Sequence, residues 1–193
     1  MKRRILAVFT SLLLVGLCGC QGGQKDEATT TTDGTAQETT TQVPKPIDFV
    51  GIPVRTDGYH EGVRYPSYTV ITTNAQLEEY YAKNKDLYNL ERRTSPPASD
   101  SSIGFLNAAD KYDDAFFATH TLVLVLLQES SGSVRHEVTK VSNDEGVTEI
   151  TVRRDVPQIG TTDMAQWHIF VELPNTQVSP AEIRIVLDTN NLG

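Results

Sequence analysis

Catalysis in this chain would have to be built from its four histidines, His60, His120, His136 and His168, with serines and carboxylates around them. None of the four stands in an HExxH or HxH arrangement, and His60-Glu61 and His136-Glu137 lack a second histidine at ligand spacing. His136 and His168 fall on strand-like segments and could stand as neighbours. With a carboxylate in reach, either could serve a hydrolase, although histidines on strands more often pack than react. Ser131-Gly132-Ser133 lacks the second glycine and the helix of a nucleophile elbow, and no GxxxxGK phosphate loop occurs. Asp110, Asp113 and Asp114, and the pair Asp144-Glu145, lack the alternating oxygens and closing glutamate of a calcium loop, so they read as cap and turn carboxylates. The doublets Arg92-Arg93 and Arg153-Arg154 read as solvated loop and strand ends. The expectation is a protein with no catalytic residue, no cofactor and no metal site.

The two cysteines, Cys18 and Cys20, point to a different chemistry. Lys2, Arg3 and Arg4 precede an apolar run over residues 5–17, which has the length of a signal-peptide core and is too short to span a bilayer. Leu17-Cys18-Gly19-Cys20 resembles the bacterial lipobox, with Gly19 as the small residue before the cut and Cys20 as the lipidated residue. Cys18 is the poorer acceptor because bulky Leu17 would precede it. Residues 1–19 are thus expected to be a lipoprotein signal peptide, and Cys20 to fix the chain to the extracytoplasmic face of the cell membrane. Two acyl chains would make that anchoring stable. All other positions lack cysteine, so the rest of the chain can form no internal disulfide and no thiolate site.

The net charge of the 193 residues is −8, and without residues 1–19 it becomes −11, from 14 Lys+Arg against 25 Asp+Glu. That sign argues against nucleic acid, whose affinity comes from clustered basic side chains. Residues 20–45 hold the lipidated cysteine and a polar, threonine-rich stretch with runs at 29–32 and 39–41. Such a composition cannot bury enough apolar surface to offset ordering entropy, so a disordered tether is expected.

Residues 46–193 have the length of one domain. Phe49, Ile52 and Val54 around Pro53 suggest an edge strand, because proline lacks the ladder donor. Residues 59–65 are turn-like and 68–72 strand-like. Thr73 and Gln76 have capping-box spacing, and the helix after them places Leu77, Tyr80, Tyr81 and the stem of Lys85 on one face. Residues 95–99 form a loop, and 112–117 a short helical turn. The run 122–127 is apolar at both parities, which predicts a central strand covered on both faces. Turns at 130–133 and 143–146 suggest antiparallel neighbours for the strands 134–141 and 147–152. Trp167, Ile169, Val171 and Leu173, then Ile183, Ile185 and Leu187, alternate like two further strands with one apolar face each. The predicted fold class is α+β: a mostly antiparallel sheet of about six or seven strands, curled into a sandwich or partial barrel, with one main packed helix.

This order of signals resembles the C-terminal domain of PrcB-type protease-complex accessory proteins. The resemblance runs over residues 68–175 and rests on Val70-Ile71-Thr72 before the helix 74–84, then Tyr112-Asp113 and Phe116-Phe117 before the central strand. It continues through the glycine hairpin at Gly132, the turn at 143–146 and Phe170-Val171-Glu172-Leu173-Pro174. Family members carry a glycine-richer loop with a following aromatic where this chain has Ser131-Gly132-Ser133-Val134. The resemblance implies a non-enzymatic module that binds or stabilises an envelope protease or another envelope protein.

The expected partner contacts are Ser131, Gly132, Ser133 and Gly160, because binding residues concentrate on loops held by a rigid sheet. Trp167 joins them if the 158–164 loop leaves it exposed as an anchor; otherwise it belongs to the core. The alternative is a small-ligand-binding lipoprotein associated with a transporter, which requires a preformed pocket of about 300–1,000 Å³.

Overall fold

The computed structural model describes residues 43–58, 62–93, 103–178 and 182–193. The expected signal peptide, Cys20, residues 20–42 of the expected tether and the 95–99 loop lie outside the described residues, as do Tyr59 and His60 of the expected turn; Lys45, the last residue assigned to the tether, instead opens the first strand. Among the described residues, eight strands and three helices follow one another as β1 (Lys45–Pro46), β2 (Val50–Arg55), β3 (Ser67–Ile71), α1 (Asn74–Asn84), α2 (Phe105–Ala109), α3 (Asp114–Phe117), β4 (His120–Glu129), β5 (Arg135–Asp144), β6 (Val147–Pro157), β7 (Ala165–Pro174) and β8 (Ile183–Leu192). The strands make two four-stranded sheets in the orders β1-β5-β6-β8 and β2-β7-β4-β3. All neighbours are antiparallel except β6 and β8, which run parallel. This is the expected α+β class in its sandwich form, without barrel closure.

The second sheet separates two cores. Val123, Val125 and Leu127 of β4, with Trp167, Ile169, Val171 and Leu173 of β7, face the first sheet, where Val138, Val141, Ile150, Val152 and Ile183 meet them. On the opposite face Leu122, Leu124 and Leu126, with Phe170, lie under Leu77, Tyr88, Phe105, Tyr112 and Phe117 of the helical layer. No residue from 122 to 127 is more than 7% exposed. Burying one such Leu or Val side chain contributes about 1.5–3 kcal/mol, which is why a run apolar at both parities becomes an interior strand.

Four expectations need correction. The turn after β4 does not return the chain beside it: β4 is already flanked by β3 and β7, and the chain crosses to the other sheet to begin β5. β7 has two buried faces, since His168 and Phe170, opposite the Trp167 series, are completely enclosed by the helical layer. Three helices cover that face, the short α2 being one the sequence pattern did not reveal. Lys85 does not pack; it is exposed, and its N–H closes α1 on the Tyr81 carbonyl at 2.9 Å.

Local signals hold where the physics is local. Thr73 caps α1 by accepting from the Gln76 N–H at 3.2 Å, while the Gln76 side chain reaches back to the Thr72 N–H at 2.7 Å. Asp113 caps α3 from Phe116 in the same way. The β5–β6 hairpin turns through Glu145 and Gly146, both at positive φ, as a two-residue turn of the right twist requires.

Candidate functional site

The two loops singled out in the sequence meet at one end of the sandwich. Residues 130–134 carry the chain from β4 in one sheet to β5 in the other, and residues 158–164 carry it back from β6 to β7. The Gly132 N–H donates to the Asp163 carbonyl at 3.0 Å, and the Thr161 N–H donates to the Ser133 hydroxyl at 3.1 Å. The Ser131 hydroxyl lies 3.3 Å from that of Thr161, and the Ser133 hydroxyl donates to the latter at 3.2 Å. A Cβ on Gly160 would stand 2.7 Å from the Ser131 hydroxyl, and one on Gly132 would collide with the Asp163 carboxylate and the Arg55 guanidinium. At both glycines the two loops approach closely enough that a side chain would force these neighbours to move. Ser131, Ser133 and Gly160 belong to one surface, whereas Gly132, expected as a partner contact, is buried beneath it with Arg55 and Arg135 on its carbonyl and cannot touch a partner directly.

Arg55, at the end of β2, clamps this junction. Its guanidinium pairs with Asp57 at 2.7 Å and with Asp163 at 2.6 Å, and reaches the Gly132 carbonyl at 3.4 Å. The Thr161 hydroxyl, then Arg55, hold the Asp163 carboxyl well below the usual carboxylate range. Arg135 donates to the same Gly132 carbonyl at 2.7 Å while its guanidinium sits 5.9 Å from the Trp167 ring centre.

Behind the loops lies a buried charge cluster. Glu129, the last residue of β4, is 3% exposed and receives a forked pair of hydrogen bonds from Arg154, at 2.8 and 2.5 Å, plus one from His136 at 2.9 Å. Burial alone would push the Glu129 carboxyl upward, but the bonds from Arg154 and His136 together lower it to about 2. As a carboxylate it only accepts, so His136 carries its proton on Nε2. The His136 ring lies edge-on against Trp167, with centroids 5.0 Å apart. Trp167 is 1% exposed and so belongs to the core; it cannot touch a partner directly. The exposed apolar residues of these two loops are instead Ile159 at 86% and Met164 at 49%.

His136 and His168 are not neighbours. His136 faces the space between the sheets, whereas His168 points to the helical layer on the other side of β7. The Thr56 hydroxyl lies 2.7 Å from His168 Nδ1 and the Tyr80 hydroxyl 2.8 Å from Nε2, with Tyr80, Tyr88 and Phe105 rings packed edge-on around it. Burial lowers the His168 imidazole to about 3 and pushes the Tyr80 hydroxyl above its ordinary range. A neutral imidazole satisfies this arrangement, one nitrogen donating and the other accepting.

The acidic and basic groups divide as follows. Asp113 is the expected helix cap, but Asp110 is held by both guanidinium nitrogens of Arg92 at 2.5 Å. Arg153 and Arg154 are not simply solvated: Arg153 pairs with Glu137 and Asp155, Arg154 with Glu129. Among the described residues no three His, Cys, Asp or Glu side chains group as a metal site, and no helix is long and apolar enough to cross a membrane. A half-open groove of about 390 Å³ runs between β3 and α1, lined by Thr69, Gln76, Glu79, Tyr80, Lys83 and Asn84 among others.

Sequence reasoning missed two charge clusters, Arg55 with Asp163 at the loop junction and Glu129 with Arg154 behind it. The available signal was Glu129 itself, a charge closing an otherwise apolar central strand, which needs a partner from elsewhere in the fold. Ile159 and Met164 were legible as apolar residues in a turn segment without periodicity. Comparison with protein-family models, curated proteins and solved structures returns no match to this chain.

Proposed function

We propose that this chain is a membrane-anchored extracytoplasmic lipoprotein whose domain is a non-enzymatic accessory module, presenting the joined 130–134 and 158–164 loops to an envelope protein. The observation that supports it is the exposure of Ile159 and Met164 on a platform fixed by Arg55, Asp163 and the Glu129 cluster. Apolar side chains held out on a rigid loop offer contact area at little entropic cost. The lipobox at Cys20 supplies the anchor, and the resemblance to PrcB-type proteins makes an envelope protease the first partner class to look for.

The test is cross-linking in the native membrane followed by affinity purification of wild type, Ile159→Asp and Cys20→Ser. One envelope protein recovered with wild type and lost with Ile159→Asp is the expected result; equal recovery with both would overturn the loop assignment. Cys20→Ser should leave the membrane fraction, and its retention there would overturn the anchor.

A second reading, a small-ligand-binding lipoprotein associated with a transporter, draws support from the groove of about 390 Å³ between β3 and α1, a volume within the usual range for ligand sites. Native mass spectrometry that finds a retained small molecule, released by Lys83→Glu, would favour it.

A further inference from the structure

An open sheet edge invites another chain to pair with it, and proteins guard such edges with lysine, proline, bulges or brevity. Among the described residues, three of the four edges are guarded. β1 is two residues long and consists of Lys45 and Pro46; β2 carries Pro53; β3 has five residues and starts just after Pro66. β8 has ten residues, without proline, lysine or glycine, and its pairing with β6 runs from Thr148↔Ile183 to Pro157↔Leu192 without a bulge.

The only charges on β8 are Arg184 and Asp188, both on the outer face, two positions either side of Val186. On the neighbouring strands this face continues as an ordered charge pattern. Glu137 of β5 pairs with Arg153 of β6 at 2.5 Å, and Arg153 stands in register with Asp188; Glu149 of β6 pairs with Arg184 at 3.2 Å. The Asp188 side chain makes no ion pair or hydrogen bond among the described residues. The row Glu137-Arg153-Asp188 thus ends at the edge on a negative charge, and the row through Glu149 ends on Arg184.

We infer that β8 is a self-complementary edge that takes a second copy of this chain, pairing antiparallel about Val186 to join two four-stranded sheets into one of eight strands. A two-fold axis perpendicular to the sheet keeps outer residues opposite outer residues. Among the registers it permits, only the one centred on Val186 sets Arg184 against Asp188 of the second copy, and does so twice. The charge rows then run through the junction with alternating sign. On the inner face the same register sets Ile185 against Leu187, which is 37% exposed in the single chain. Opposite charges and apolar pairs directly across strands stabilise a pairing, and like charges there destabilise it. Residues 183–189 would pair, far fewer than the roughly 20–30 residues a side of a standard interface, so the dimer should dissociate on dilution.

Sedimentation equilibrium of the full chain in detergent tests this. Wild type should pass from monomer to dimer as concentration rises. Asp188→Arg leaves two arginines facing two arginines, Arg184→Asp leaves four aspartates, and each should weaken self-association at least about tenfold. An equimolar mixture of the two variants should dimerise again, because each supplies the charge the other lacks. A wild type that stays monomeric, a dimer indifferent to both substitutions, or a mixture that stays monomeric would overturn the inference. Hydrogen exchange on wild type gives a readout independent of variant folding: the amides of residues 183–189 should gain protection with concentration, and unchanged exchange there would count against the pairing.

Discussion

His136 donates its Nε2 proton to Glu129 across 2.9 Å at a point where neither side chain is more than 3% exposed. The carboxylate is tolerated there because Arg154 reaches in from the surface and completes the neutralisation. Removing one member of such a cluster leaves an uncompensated buried charge, which costs about 3–5 kcal/mol. Arg154→Ala should therefore lower unfolding stability by about 3 kcal/mol, read as a shifted urea midpoint at unchanged slope. An unchanged midpoint would show that Glu129 does not depend on Arg154.

The same cluster sets the acid limit of the fold. Glu129 is lowered from its ordinary 4.5 to about 2. Its contribution is fully present above 4.5 and is lost as pH falls through about 2, because only there does the folded state take up the proton that the unfolded state already holds. Glu129→Gln should flatten the fall in stability below pH 4.5, measured by urea unfolding at stepped pH. An identical acid limb in the variant would contradict this.

His168 acts in a higher window. Burial lowers it from 6.5 to about 3, so between those values the unfolded chain holds a proton that the folded chain lacks. Stability is fully present above 6.5 and declines as pH falls toward 3, with a slope of at most about 1.4 kcal/mol per pH unit from this residue. His168→Phe should remove that slope between pH 4.5 and 6.5, where Glu129 is silent. It should also destabilise the fold at pH 7, since Thr56 and Tyr80 lose their partner. A folded-state imidazole titrating near 6.5 by NMR would refute the assignment.

Gly132→Ala separates loop geometry from fold stability. The added methyl meets the Asp163 carboxylate and the Arg55 guanidinium, the far ends of flexible side chains. The domain should stay folded, losing about 1 kcal/mol, while the 158–164 loop comes loose. Hydrogen exchange should rise in residues 158–164 and remain unchanged in β4 and β7. Uniform exchange across the domain would show that the junction is not held by these contacts.

Thr73→Ala isolates the helix cap. Loss of the hydroxyl that accepts from Gln76 should cost about 1 kcal/mol, visible by urea unfolding, and Thr73→Ser should restore most of it. Equal stability of the alanine variant would mean that the Gln76 side chain alone secures this end of α1.

The sequence made legible what neighbouring residues decide among themselves: the Thr73 cap, the positive-φ turn at Glu145-Gly146 and the doubly covered strand at 122–127. It misled where a partner arrives from far along the chain. Glu129 and Arg154 are 25 residues apart, Arg55 and Asp163 108 apart, and Thr56 and His168 112 apart. The β4–β5 turn looked like a hairpin because a short connection permits one. What forbids it is that both edges of β4 are occupied, by β3 from before it and β7 from after it. The two loops were legible as loops from their composition. That they are one surface follows only from the β4–β5 and β6–β7 crossings between sheets falling at the same end.

Residues 45–55 stitch the two sheets together, β1 lying against β5 in one and β2 against β7 in the other, with Ile47 buried between them. A pull on the chain from its N-terminal side is therefore met first by two residue pairs, Lys45 with Asn143 and Pro46 with Ser142, and only then by the six pairs of β2. Under mechanical load the domain should therefore yield in steps. The shallow first step lets the clasp lengthen while the second sheet, with its cores on both sides, still bears the strain.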